Sequence, residues 1–205
     1  MNKFQINANE FLGKCTVAFF HLTYTRMGHP GNPDYLNDLK NTYNSFAKAK
    51  LVSAARELEK ALQADFPQIL QLQGLKEMVV CVVPRAKAES NYHPNQQLFR
   101  STVQAITQKI PGLVDGTGYL CRHINTKTTH LRNPIPNYTN DGPDPYPGIT
   151  TDTCAISPDV VRKDILLVDD IYTPGVNIDE DAINALRGAG AKTVTFYAVG
   201  RVQRN

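Results

Sequence analysis

The residues best suited to chemistry lie together, in Asp169-Asp170-Ile171-Tyr172-Thr173-Pro174-Gly175-Val176-Asn177. Adjacent carboxylates repel and are costly to desolvate, so they need water, hydrogen-bond donors or a complementary ligand beside them. Sugar hydroxyls meet that need, with or without a divalent metal. Behind the acids, Thr173 to Asn177 lead into a predicted helix. A helix N-terminus turns unpaired backbone N–H groups and a positive dipole end toward an anion such as phosphate. Gly175 lets the backbone approach a ligand closely. One loop thus offers acceptors for hydroxyls and then donors for phosphate, which is the complement of a ribose 5-phosphate group. The same residues also read as an acidic strand end before a capped helix, with Asn177 as N-cap and Asp179 to Asp181 favouring its first turn.

The surrounding pattern says what must hold this loop in place. Ile165-Leu-Leu-Val168 reads as a short buried strand, Ile178 to Arg187 as a helix, and Lys192 to Val199 as a second strand. Gly188 and Gly190 close the helix. This is a β-α-β unit, and in open parallel sheets ligands bind beyond the carboxyl ends of the strands, where the acid pair falls. Upstream, Met78 to Val83 is a continuous β-branched run ended by Pro84, as in a strand buried on both faces. Phe99, Val103, Ile106 and Ile110 make the inner stripe of a helix over Asn95 to Ile110, and Gly118 to His123 reads as another strand. From Tyr35 to Leu62 apolar residues recur every three or four positions. That spacing predicts one long helix or two shorter ones, starting at Pro33-Asp34 and stopping at Phe66-Pro67. Asn133 to Gly148 carries five prolines and no periodicity; it is expected to be a loop, either a lid or an inert insertion. The expected fold is α/β, with a mainly parallel central sheet flanked by helices.

Composition narrows the function classes. The chain has 205 residues, 41% hydrophobic and 20% charged, the profile of one compact domain. No apolar run approaches the roughly 20 residues a membrane span needs, and Phe11 to Phe20 lacks the flanks of a signal peptide, so a cytoplasmic protein is expected. The four cysteines form no Cys-x-x-Cys pair, which argues for free thiols rather than a zinc ribbon. A net charge of +3 is dispersed along the chain, and neither nucleic acid nor membrane is an expected partner.

The segment Ile165-Leu-Leu-Val-Asp-Asp-Ile-Tyr-Thr-Pro-Gly-Val-Asn177 resembles the phosphoribosyl pyrophosphate signature of type I phosphoribosyltransferases: a hydrophobic strand, two acids, two hydrophobic positions and a Thr-Thr-Gly-x-Thr type loop. Met78 to Arg201 is further similar to the ComF branch of that fold, associated with bacterial DNA uptake. The similarity runs through Val82-Val83-Pro84, an Asn95-Gln96 helix start, and Cys121-Arg122-His123 followed by Thr128 and Thr129. The resemblance implies a single phosphoribosyltransferase domain, with residues 1–75 as a helical hood and residues 76–205 as the core. It implies transfer of phosphoribose to or from a nitrogenous base. Asp169 and Asp170 would be the catalytic pair on the ribose hydroxyls, and Thr173, Gly175, Val176 and Asn177 would surround the 5-phosphate. Arg85 and Lys87 would hold pyrophosphate, and magnesium would bridge ribose and diphosphate oxygens, with Asp169 and Asp170 as its candidate protein ligands. Read without the family, Arg85 and Lys87 are two solvated surface charges.

Two positions depart from that pattern. Pro174 replaces a Thr and removes both a hydroxyl and a backbone donor. Asn177 stands at the terminal Thr or Ser. Weaker phosphate binding or an altered ligand follows, and with it two alternatives: a non-catalytic sensor of a phosphoribosyl ligand, or a ComF-like accessory in DNA handling. Expected partners are phosphoribosyl pyrophosphate or a related nucleotide, a second copy in a homodimer, and the product of a neighbouring gene. Gly188-Ala-Gly-Ala-Lys-Thr193 is not a P-loop, since it leads from helix to strand. Cys121 and His123 share a strand face but lack a second metal-binding pair.

Overall fold

The computed structural model describes residues 1–128, 140–144 and 148–203. Two strands open the chain, β1 (Asn2–Ile6) and β2 (Thr16–Tyr24), followed by helices α1 (Tyr35–Lys40) and α2 (Lys48–Leu72). Next come β3 (Met78–Val82), α3 (Leu98–Thr107), β4 (Leu113–Asp115) and β5 (Leu120–Arg122). The chain ends with β6 (Cys154–Ile156), β7 (Asp164–Tyr172), α4 (Ile178–Gly188) and β8 (Thr193–Val202). The main sheet has six strands in the order β1-β2-β8-β7-β3-β4. Only β1 runs antiparallel to its neighbour; the other pairings are parallel. The β5–β6 pair is a separate antiparallel ribbon. The fold is therefore α/β, with a mostly parallel mixed sheet between layers of helix and ribbon.

Both faces of β3 and β7 are buried, which explains their unbroken runs of branched residues. On one face Val80, Val82, Leu166 and Val168 pack with Leu36, Leu39, Leu58, Phe66 and Ile106 of α1, α2 and α3. On the other, Val79, Cys81, Ile165 and Leu167 pack with Ala182, Ile183 and Leu186 of α4 and with Leu120 and Cys154 of the ribbon. Residues 1–75 are thus not wholly helical. They contribute two strands to the sheet, and their helices cover one of its faces as part of the core. The periodic stretch after Tyr35 forms two helices, separated at Asn41, which adopts the left-handed conformation at φ 37°.

Pro67 lies inside α2 rather than ending it. Phe66 and Ile69 beside it are fully buried, and their packing outweighs the lost backbone bond. Gly118 to His123 contracts to β5 in the ribbon, and the acids expected just past a strand at Val168 lie within β7. Of the Asn133 to Gly148 segment, 133–139 and 145–147 lie outside the described residues, as do Thr129 and His130. Among the described residues, no helix is long and apolar enough to cross a membrane.

Candidate functional site

From β3 the chain passes through α3 to β4 on one side, and from β7 it passes through α4 to β8 on the other. The strand order therefore reverses between β3 and β7, and the splayed loops at such a switch point leave a crevice beyond the carboxyl ends of the strands. A cavity of about 540 Å³, its open mouth included, lies there and is lined by Asp169 and Asp170 from β7 and by Arg85 from the loop after β3. Lys40, Glu89, Tyr92, Gln96, Phe99 and Arg100 also line it.

Neighbouring side chains on a strand leave on opposite sides, and the two acids diverge accordingly. Asp170 turns toward α1, where its Oδ2 lies 3.2 Å from the Lys40 ammonium. Asp169 turns toward the start of α4, where its carboxyl meets that of Asp179. Each acid also accepts the N–H of the next residue, at 2.8 Å for Asp170 onto Asp169 and 2.6 Å for Ile171 onto Asp170. Burial, and then the charge of Asp170, push the Asp169 carboxyl up to about 7. Asp179 is likewise pushed well up, by burial and by Asp169. Two carboxyls in contact cannot both ionise cheaply, so Asp179 keeps its proton and donates to Asp169.

Arg85 is held by its surroundings. Its Nη2 donates to the Lys40 carbonyl at 2.7 Å, its Nη1 donates to the Gln96 carbonyl, and its guanidinium stacks 4.2 Å from the centre of the Tyr92 ring. Arg122, only 4% exposed, fastens the backbone beneath it, donating to the carbonyls of Arg85 at 2.7 Å and Gly148 at 2.8 Å. Lys87 does not line this cavity. Its ammonium bonds the carbonyl and carboxylate of Asp141 at 2.6 and 2.8 Å. Asp169, Asp170 and Arg85 are thus brought together, and Lys87 is engaged elsewhere.

The loop past the acids faces differently. Pro174, Gly175 and Asn177 border a second hollow with Glu180 and Arg201, while Thr173 and Val176 line neither space. Asn177 is left-handed at φ 65° and makes no side-chain cap bond; its Oδ1 accepts instead from Asn9 at 3.1 Å. The first turn of α4 carries Asp179, Glu180 and Asp181, all buried, and each has its own partner. Asp179 meets Asp169, Glu180 accepts the Tyr172 hydroxyl at 2.9 Å, and Asp181 accepts the N–H groups of Gly148 and Ile149 at 2.7 Å. With Asp179 protonated, it is charge on the other two acids of this turn that opposes the attraction of the helix end for an anion.

Among the described residues, no group of three or more His, Cys, Asp or Glu is arranged to hold a metal. Because the two acids diverge, one of these carboxylates, rather than both, could complete the shell of a magnesium ion that arrives on ligand oxygens, since this ion can be bound by a single carboxylate plus phosphate. Lys40, Gln96, Arg100 and Asp179 were not foreseen as site residues. Lys40 and Arg100 carry no motif and reach the site through long-range packing, whereas Gln96 and Asp179 read in the sequence only as part of a helix start and of a helix first turn. The chain matches no known protein-family model, and no curated protein matches it.

Proposed function

We propose that this chain is a type I phosphoribosyltransferase-like domain of ComF-like character. It binds phosphoribosyl pyrophosphate, or a related ribose 5-phosphate ligand, in the switch-point cavity. The observation that carries this reading is the meeting of Asp169 and Asp170 with Arg85 in one cavity between β3 and β7. Acceptors for sugar hydroxyls and a donor for diphosphate oxygens then face one ligand. In the reaction a nitrogen of the base forms a bond to C1 of the ribose as the bond from C1 to the diphosphate oxygen breaks. The electron pair leaves on the pyrophosphate. Asp169 and Asp170 orient the sugar, and Arg85 stabilises charge on the departing oxygens, so catalysis is mostly positioning and electrostatics. Magnesium carried on the ligand supplies further charge neutralisation.

The second reading, a sensor that binds the ligand without transfer, is favoured by the 5-phosphate end. Pro174 removes a donor there, and the buried acids of α4 weaken the attraction for phosphate. A pyrophosphate-release assay across a panel of bases separates the two. Transfer predicts release with at least one base, lost in Asp170→Asn. Binding of phosphoribosyl pyrophosphate without release from any base supports the sensor, and no binding at all contradicts both. A ComF-like role in DNA handling predicts salt-dependent binding to single strands, which the dispersed charge does not favour.

A further inference from the structure

We propose that Lys40 is a ligand-binding cation of this site, resting on Asp170 in the ligand-free protein and moving to the diphosphate oxygens when a diphosphate-bearing ligand enters. This rests on the phosphoribosyl reading above, and it assigns a role to a residue outside the acid motif and the loop after β3.

Three segments of chain converge to place Lys40. It ends α1, its carbonyl accepts from Arg85 at 2.7 Å, and the next two carbonyls, of Asn41 and Thr42, accept from the Gln96 amide at 3.1 and 3.0 Å. The Asn41 side chain in turn accepts the N–H groups of Ser45 and Phe46. The backbone is therefore fixed, while the side chain reaches into the cavity on a flexible four-carbon stem.

The other cations nearby are held in place by more partners than Lys40, although Arg85, with five N–H donors, keeps some for a ligand. Arg85 donates to two carbonyls and stacks on Tyr92. Arg100 pairs with Glu89 and donates to the Leu120 carbonyl. Lys87 is bound to Asp141. The Lys40 ammonium has three donors, and among the described residues its one side-chain partner within ion-pair distance is Asp170. Both side chains keep some exposure to the cavity, 28% for Lys40 and 20% for Asp170. A lysine amine is a cation at neutral pH, and the Asp170 carboxylate at 3.2 Å favours that charged form. A ribose hydroxyl that donates to Asp170 competes with the ammonium for the same oxygens. Released from the carboxylate, the ammonium finds its next anion on the diphosphate of the same ligand.

Titration calorimetry of the full chain with inorganic pyrophosphate and, separately, ribose 5-phosphate, each with magnesium, tests this. Lys40→Met should weaken pyrophosphate binding about tenfold to a hundredfold, the worth of a charge-assisted contact. Ribose 5-phosphate binding should stay within about threefold, on the same scale of roughly tenfold per 1.4 kcal/mol. Lys40→Arg should recover most of the loss, and Lys40→Gln serves if the Met variant fails to fold. Unchanged pyrophosphate affinity in Lys40→Met overturns the proposal. So does an equal fall for both ligands, which would make Lys40 only a structural partner of Asp170. If the unaltered protein binds pyrophosphate but not ribose 5-phosphate, the phosphoribosyl reading fails and the Met comparison still decides the role of Lys40. If it binds neither, both fail.

Discussion

The two adjacent carboxylates of the motif are chemically different residues. Asp170 has a cation at 3.2 Å, whereas Asp169 faces the carboxyl of Asp179 and is pushed up to about 7 by burial and by Asp170. The consequence for stability has a definite sign. From about pH 4 to about pH 7 the folded protein holds a proton on Asp169 that the unfolded chain has released, so this group makes the ligand-free protein less stable as pH rises through that window. Above it the penalty is constant. Asp169→Asn should therefore gain in melting temperature relative to the unaltered protein as pH goes from 4.5 to 7.5. A constant difference between the two melting curves across that range would contradict the assignment. Asp170→Asn should act the other way on function, with ligand affinity falling at least tenfold, the scale of a charge-assisted bond. Its melting temperature should move little, because a partly exposed ion pair contributes about 1 kcal/mol or less.

Those residues are positioned by three elements that meet only in space. β7 supplies the acids, the loop after β3 supplies Arg85, and the end of α1 supplies Lys40. Gln96 joins the last two: its amide nitrogen holds the carbonyls of Asn41 and Thr42, and its Oε1 accepts from the His93 N–H at 3.1 Å. Gln96→Leu should cost about 1–3 kcal/mol in denaturant unfolding, since it strands buried polar groups, and should weaken pyrophosphate binding by loosening Lys40. Unaltered stability would mean that these bonds do not carry the junction. The β7-α4-β8 unit was legible because Ile165 to Val168 reads as a short buried strand and a glycine-containing stretch closes the helix after it; in the structure Gly190 takes a positive φ of 95° there. β1 and β2 were not. Val17 and Leu22 are exposed apolar residues within β2, so its pattern neither alternates nor forms a fully buried run. Pro67 misled for a related reason, because a local helix-breaking preference yielded to the burial of Phe66 and Ile69. Lys40 carries no local signal at all, since its neighbours are 45 residues away at Arg85 and farther at Asp170.

Across the molecule, a mostly parallel sheet with both faces covered leaves its loop ends as the natural place for a ligand. The residues foreseen for one ligand are divided between two spaces. Asp169, Asp170 and Arg85 share the switch-point cavity, and Pro174, Gly175 and Asn177 border the second hollow. On this account the sugar and diphosphate end contributes more affinity than the 5-phosphate end, where the acids of α4 gather. A ligand that binds only the folded state stabilises it, by about 2.7 kcal/mol at a hundredfold excess over Kd. For a chain of this size that is roughly 5–10 °C in melting temperature. Phosphoribosyl pyrophosphate with magnesium should produce a shift of that order, and ribose 5-phosphate a smaller one. The most direct measurement is a calorimetric titration of phosphoribosyl pyrophosphate plus magnesium into the unaltered protein and into Asp170→Asn. Saturable binding to the first, weakened at least tenfold in the second, is the predicted result; no binding to the unaltered protein, or equal affinity for the two, would contradict the account.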